Sequence, residues 1–180
     1  MRGNLVLSVA LCLLVLSSSL VWGYDDKFGK PDTCRITVVQ KEKSNKVEAK
    51  VFLFNDEDLA ALTVPLKFGD SKKSSLYCDS VSYVKTRVDY FSWKTGWIDS
   101  TANTVLIGLI ADLSGKNPPL KPGSGQIATV YFSVKKGAKP TEVVLDTCFV
   151  KPSNVLKLIT NDGKDIVPVF DNKNAKIKIK

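Results

Sequence analysis

Two groups of side chains in this sequence carry chemistry by type and spacing. The first is an aromatic cluster, Tyr90, Phe91, Trp93 and Trp97, set among Asp89, Ser92, Lys94 and Asp99. Flat rings beside hydroxyl, ammonium and carboxylate groups suit a sugar, whose C–H faces stack on the rings while its hydroxyls take the polar neighbours. The same run also serves a core if Phe91 and Trp93 point inward and Tyr90 and Ser92 outward. Trp97, beside Gly96 in an expected turn, is then the exposed platform. The second group is Asn55-Asp56-Glu57-Asp58, which offers hard oxygen ligands for calcium. Asp56 and Asp58 are its candidate ligands. Consecutive acids cannot all face one ion, so Asp112 or Asp162 would have to complete the shell. The Asn161-Asp162-Gly163-Lys164-Asp165 run reads more simply as a turn with Gly163 at positive φ. No cofactor is therefore expected, and calcium is the one candidate weighed against that expectation.

Inventory excludes most other chemistry. The chain has 180 residues and no histidine. Ser/His/Asp and Cys/His centres, histidine-bound zinc and an imidazole base are all ruled out. Carboxylates remain, and a glycosidase would need two of them across a cleft. The short connections leave little material for one, so a non-catalytic protein is expected. The 26 Lys and Arg against 18 Asp and Glu give a formal charge of +8. Lys135, Lys136, Lys139, Lys173, Lys176, Lys178 and Lys180 would suit an acidic glycan or an anionic surface. Solvated strand faces are the simpler account, and lysines on a terminal edge strand also discourage pairing with other molecules. No nucleic-acid partner is expected, because no arginine-rich patch with interleaved aromatics is present.

Residues 1–23 read as a signal peptide: Arg2 supplies the basic start, residues 5–16 the apolar stretch, and Gly23 a small residue at the cleavage point. The apolar run is shorter than the ~20 residues a spanning helix needs, so no transmembrane anchor is expected to remain. Export to the periplasm or beyond follows. Of the four cysteines, Cys34, Cys78 and Cys148 lie after that segment. Among the three pairings open to them, Cys78 with Cys148 is favoured, since both adjoin apolar strand-like segments and Cys34 lies near the terminus.

The elements that must position these groups are strands. Residues 46–54 alternate Val47, Ala49, Val51 and Leu53 with polar positions, and Leu62, Val64, Leu66 and Phe68 repeat the pattern. Val105, Leu106, Ile107, Leu109 and Ile110 face both ways and predict a central strand covered on both sides. Further strands are expected at 35–40, 80–84, 90–93, 129–134, 143–150, 166–170 and 176–180. Pro65 predicts an edge position or a bulge. With a lead-in at 24–32, residues 33–180 are expected to form one all-β domain, a two-sheet antiparallel β-sandwich of jelly-roll type with about nine strands.

The order of several segments resembles a known family. These are the acidic turn after Phe54 with Val64-Pro-Leu-Lys-Phe68, then Cys78-Asp-Ser-Val-Ser-Tyr-Val-Lys-Thr-Arg87, then Val105-Leu-Ile-Gly-Leu-Ile110. Pro122-Gly-Ser-Gly-Gln-Ile-Ala-Thr-Val-Tyr-Phe132, Leu145-Asp-Thr-Cys-Phe-Val-Lys-Pro-Ser-Asn154 and Ile166-Val-Pro-Val-Phe170 follow. Together they resemble the cohesin-like domains of secreted bacterial proteins, within the cohesin and carbohydrate-binding-module type of β-sandwich. The resemblance implies a nine-stranded jelly roll without catalytic residues. Cohesins receive a dockerin, a small calcium-loaded helical module, on one sheet face. This chain stands alone, carries no calcium-loop repeats and shows no sorting segment, so a dockerin is one candidate among protein partners. A polysaccharide is the competing ligand, and self-assembly through edge strands a third reading. A broad planar face with scattered Leu, Thr and Ser would mark a protein partner, and a groove of coplanar rings a glycan.

Overall fold

The computed structural model describes residues 26–40, 44–69 and 74–180. The signal-peptide segment, 1–23, lies outside these. Among the described residues there is no helix long and apolar enough to cross a membrane.

Two sheets pack face to face. The first is built from β1 (Thr33–Gln40), β2 (Lys46–Asn55), β4 (Leu76–Ser82), β7 (Gly123–Val134) and β12 (Val169–Asn174), in the order β12-β1-β2-β7-β4. The second contains β3 (Leu59–Lys67), β5 (Trp93–Asp99), β6 (Thr104–Ile110), β10 (Lys157–Thr160) and β11 (Asp165–Ile166). Its order is β11-β10-β3-β6-β5, with β9 (Asp146–Thr147) also on β3. A two-stranded ribbon joins β8 (Thr141–Val144) to β13 (Lys176–Ile179). Every pairing is antiparallel except β1 with β12, which is parallel. This is the expected sandwich, with some strands shorter and more numerous than the periodicity indicates.

The core follows from alternation. On β2, Val47, Ala49, Val51 and Leu53 are buried, and β3 answers with Leu62, Val64 and Leu66. Phe68, just past β3, meets Phe132 of β7 at 5.3 Å between ring centroids, tying one sheet to the other. At the β4/β5 edge the sheets close on a glycine. A Cβ at Gly96 would lie 2.6 Å from the Val81 side chain, so only hydrogen fits there.

Four readings need correction. The expected strand at 90–93 is a turn: Phe91 donates its amide to the Val88 carbonyl at 3.0 Å, and β5 begins only at Trp93. The expected strand at 143–150 divides into β8 and β9, and β10 is a strand that periodicity missed. Pro65 lies neither on a sheet edge nor in a bulge. β3 is flanked by β6 along its length, and on its other side β10 pairs with residues 59–63 and β9 with Leu66 and Lys67. Pro65 falls in the gap between those two short strands, where its missing N–H costs no ladder bond.

The fourth concerns the cysteines. Cys78 and Cys148 form no disulfide, and Cys34, Cys78 and Cys148 are all free thiols. Cys78 belongs to β4 of the first sheet, whereas Cys148 follows β9 on the second. Cys34 is not at a loose terminus but buried on β1. Burial pushes the Cys34 thiol up to about 12, and burial with the Asp79 charge does the same for Cys78. Both therefore stay protonated and poorly nucleophilic at neutral pH. Native protein at pH 8 is expected to leave Cys34 unlabelled by a thiol reagent, with all three thiols labelled in denaturant. Reductant should leave the Tm unchanged, and a fall in Tm on reduction would restore the disulfide.

Candidate functional site

The exposed aromatic residues are organised by the second sheet. Trp93 and Trp97 stand four residues apart on β5, so both side chains leave the same face, about 13 Å apart at the usual strand rise. Both are exposed, at 42% and 50%. Trp97 is thus in mid-strand, not in a turn as expected, and Trp93 faces outward instead of packing the core. Register places Trp93 opposite Ile110, Thr95 opposite Gly108, and Trp97 opposite Leu106. The next strand continues the rows with Ala61, Thr63 and Pro65, and β10 adds Ile159 beside Ala61 and Lys157 beside Thr63. A Lys157–Asp165 ion pair of 3.0 Å closes the far edge.

The result is an open sheet surface with two exposed rings at one side and half-buried Leu106, Ile110, Ala61 and Ile159 across its middle. The Trp93 ring lies over Gly108. A Cβ on that glycine would sit 3.1 Å from the ring and 3.0 Å from the Thr95 methyl. The missing side chain lets the indole pack close over β6 and cover its outer face, as its two-sided apolar pattern requires.

The other members of the aromatic cluster are elsewhere. Phe91 is buried and drops out of any binding surface. Tyr90 is exposed but lies in the preceding turn, packed edge-on against Phe91 at 5.2 Å, with its hydroxyl donating to the Pro119 carbonyl. Asn117 fastens the same loop by donating to the Tyr90 carbonyl and Ser92 Oγ. Lys94 points to the opposite side of β5 from the tryptophans and donates to the carbonyls of Asp89 and Phe91, both at 2.7 Å.

The acidic run 55–58 is divided by its turn. Buried Asn55 donates to the Glu57 carbonyl and accepts from Arg87, so it shapes the backbone. Asp58 is paired with Lys121 at 2.7 Å and leaves the group of candidate ligands. Asp112 and Asp162 do not join Asp56 either. Asp112 accepts from Ser92 and Ser114, and Asp162 pairs with Lys164 at 2.7 Å in a turn where Gly163 has φ of 81°. Asp56 instead meets Glu57 and, from 24 residues earlier, Asp32. One oxygen from each of the three lies within 4.8 Å of the others. Burial pushes the Asp32 carboxyl up to about 7, with the charges of Asp26 and Asp56 adding to it. Burial likewise takes Glu57 to about 7, helped by its contact with the Asp56 carboxylate.

One positioning residue escaped the reading of the sequence for chemistry. Arg87 lies against the β2–β7 pair and donates to the carbonyls of Leu53, Gly123 and Lys121 and to Asn55 Oδ1, at 2.7–3.1 Å. Burial lowers its pKa from the ordinary guanidinium value. Its stem occupies the space above Gly125, where a Cβ would come within 2.6 Å of Cδ. A lone arginine in a polar stretch gives no signal of this role; the glycines at 123 and 125 are the trace it leaves.

The fold is a β-sandwich of cohesin type. No protein-family model matches the sequence, and no curated protein matches it. Solved structures do. A non-cellulosomal cohesin from the hyperthermophilic archaeon Archaeoglobus fulgidus superposes with a TM-score of 0.58 at 14% identity, over 84% of this chain and 92% of that one. The third cohesin of ScaC from Acetivibrio cellulolyticus, solved in complex with the ScaB dockerin, gives 0.63 at 15% identity over 82% and 98%. The cohesin CaCohA2 from Clostridium acetobutylicum gives 0.56 at 20% identity over 84% and 93%. The resemblance seen in the sequence thus extends to the three-dimensional fold.

Proposed function

We propose that this chain is an exported, non-catalytic binding module that docks a protein partner on the outer face of the β10-β3-β6-β5 sheet. The observation that carries this is the continuity of exposed Trp93 and Trp97 with half-buried Leu106, Ile110, Ala61 and Ile159 on one open surface. Its centre is apolar with Thr63 and Thr95 interspersed, and its far rim carries the Lys157–Asp165 pair, the arrangement of a protein-docking patch. Two tryptophans supply the large anchors on which such interfaces concentrate binding energy. The rings stand on an open sheet face continuous with half-buried apolar side chains, which favours a protein over a glycan. Several structural neighbours were solved with dockerins bound, and a dockerin-like helical module is the partner class proposed here.

The test is direct titration of the purified protein with a panel of calcium-loaded dockerins, alongside retention on insoluble cellulose and chitin. A 1:1 complex at about 1 μM or tighter, equivalent to roughly 8 kcal/mol, is the expected result. Retention on glycan with no protein complex would replace this reading by the carbohydrate one.

A further inference from the structure

The acidic cluster at the end of the sandwich differs from the carboxylates that sit in ion pairs. Asp58, Asp79, Asp162, Asp165 and Asp171 each have a lysine or arginine partner. On Asp32 and Glu57 the charges that act are those of neighbouring aspartates, Asp26 and Asp56 on both and Asp32 on Glu57, all of one sign. Each of the three contributes one buried oxygen that meets no hydrogen-bond donor: Asp32 Oδ2, Asp56 Oδ1 and Glu57 Oε2. Asp32 is 0% exposed, so its Oδ2 cannot be satisfied by bulk water. Burying a bare carboxylate oxygen is costly, and gathering three such carboxyls, with an oxygen of each within 4.8 Å of the others, makes the cost worse unless a cation takes them.

The rest of the local structure holds this arrangement in place. Asp32 spends its other oxygen on the Asp56 amide at 3.1 Å, and Asp56 spends Oδ2 on the Lys30 amide at 2.6 Å. Asp26 accepts from the Phe28 and Asp32 amides, curling residues 26–32 over the turn between β2 and β3. Gly29 makes the close approach feasible. It has φ of 57°, and a Cβ there would collide with the Asp56 carboxylate at 2.2 Å. Each carboxylate of the pair Asp32 and Asp56 is therefore oriented by one oxygen and offers the other inward.

We propose that Asp32 Oδ2, Asp56 Oδ1 and Glu57 Oε2 bind a calcium ion, which fastens the N-terminal segment 26–32 to the β2–β3 turn. All-oxygen, carboxylate-rich ligation selects a hard cation, and oxygens lying within 4.8 Å of one another can share one ion with Ca–O bonds of about 2.4 Å. The irregular loop supply of ligands fits the flexible geometry of calcium better than the strict octahedron of magnesium. Solvent completes the shell on the side of Glu57, which is only partly buried. The consecutive acids Asp56 and Glu57 face one ion after all, because the third ligand comes from the lead-in segment and not from Asp58, Asp112 or Asp162.

Calcium chloride is titrated into chelator-stripped protein by calorimetry, with thermal melts in parallel and magnesium as the comparison. One site is expected, with Tm raised by about 5–10 °C at calcium a hundredfold above Kd. Asp32→Asn and Glu57→Gln should each weaken calcium affinity at least tenfold, and Glu57→Gln, nearer the surface, is the variant expected to keep the fold. Absence of heat and of any Tm shift in the unmodified protein up to about 10 mM calcium overturns the proposal. So does a calcium response unchanged in both variants. A Tm raised in chelator by Asp32→Asn, with no calcium response in the parent, would show that the cluster holds protons instead.

Discussion

Replacing Trp97 by alanine should weaken the complex with the protein partner at least 30-fold while lowering the Tm by no more than about 3 °C. Truncating a tryptophan anchor of an interface costs about 2 kcal/mol or more, which converts to that factor. The ring is half exposed in the free protein, so little of its area contributes to the core. Trp93→Ala should match it in binding but cost more stability, because the Trp93 ring covers Gly108 and its loss bares the outer side of β6. The pair of variants separates the two roles of an indole, as anchor and as lid. Titration and thermal melts on the same preparations provide the check. Trp97→Ala that binds the partner as tightly as the parent would remove the β5 edge from the interface. Trp97→Ala that loses only retention on a polysaccharide would make the ring a sugar platform.

The second large effect concerns stability alone. Arg87→Ala should destabilise the domain by about 3 kcal/mol, or about 6–12 °C in Tm, because three carbonyls and the Asn55 amide oxygen lose their donor at once. Asn55 matters doubly, since it also holds the turn that presents Asp56 and Glu57. The register of β2 with β7 shifts between Val51 and Phe52, and Arg87 bonds the Leu53 carbonyl just beyond that irregularity. Its own amide also donates to Gln126 on the opposing strand at 2.9 Å. Arg87→Lys should recover less than half the loss, because one ammonium cannot reach acceptors that a planar guanidinium spans. Denaturant unfolding of the three proteins measures this directly, and an Arg87→Ala cost below 1 kcal/mol would mean that water replaces the guanidinium without penalty.

Both predictions turn on features that the sequence shows unequally. The alternation from Val47 to Leu53 dictates a half-buried strand whatever its neighbours, because side chains on a pleated strand alternate and only one face can be dry. The two-sided apolar run from Val105 to Ile110 likewise requires neighbours on both edges and cover on both faces, and β6 has them. The cohesin-like order of segments was legible for the same reason: strand spacing survives even where identity falls to 12–20%. The run from Tyr90 to Trp93 was misread because its alternation mimics a strand. The preceding backbone is instead committed to turns by Lys85 at φ of 57°, by Asp89 accepting the Lys85 amide, and by Thr86 accepting the Val88 amide. Only after these are satisfied does the chain enter the sheet, and that delay puts Trp93 and Trp97 outward on one face.

By itself, then, the sequence determined the all-β class, the buried faces of the longer strands and the absence of imidazole chemistry. These depend on residue type and on a period of two, which are local. The tertiary structure alone decided that Phe91 and Trp93 part company, that three cysteines stay apart, and that Asp32 rather than Asp58 joins Asp56 and Glu57. The last two are relations between segments tens of residues apart, and the first depends on where the chain enters the sheet. Such meetings are set by sheet order and register, and no spacing along the chain encodes which end of the sandwich two turns will share.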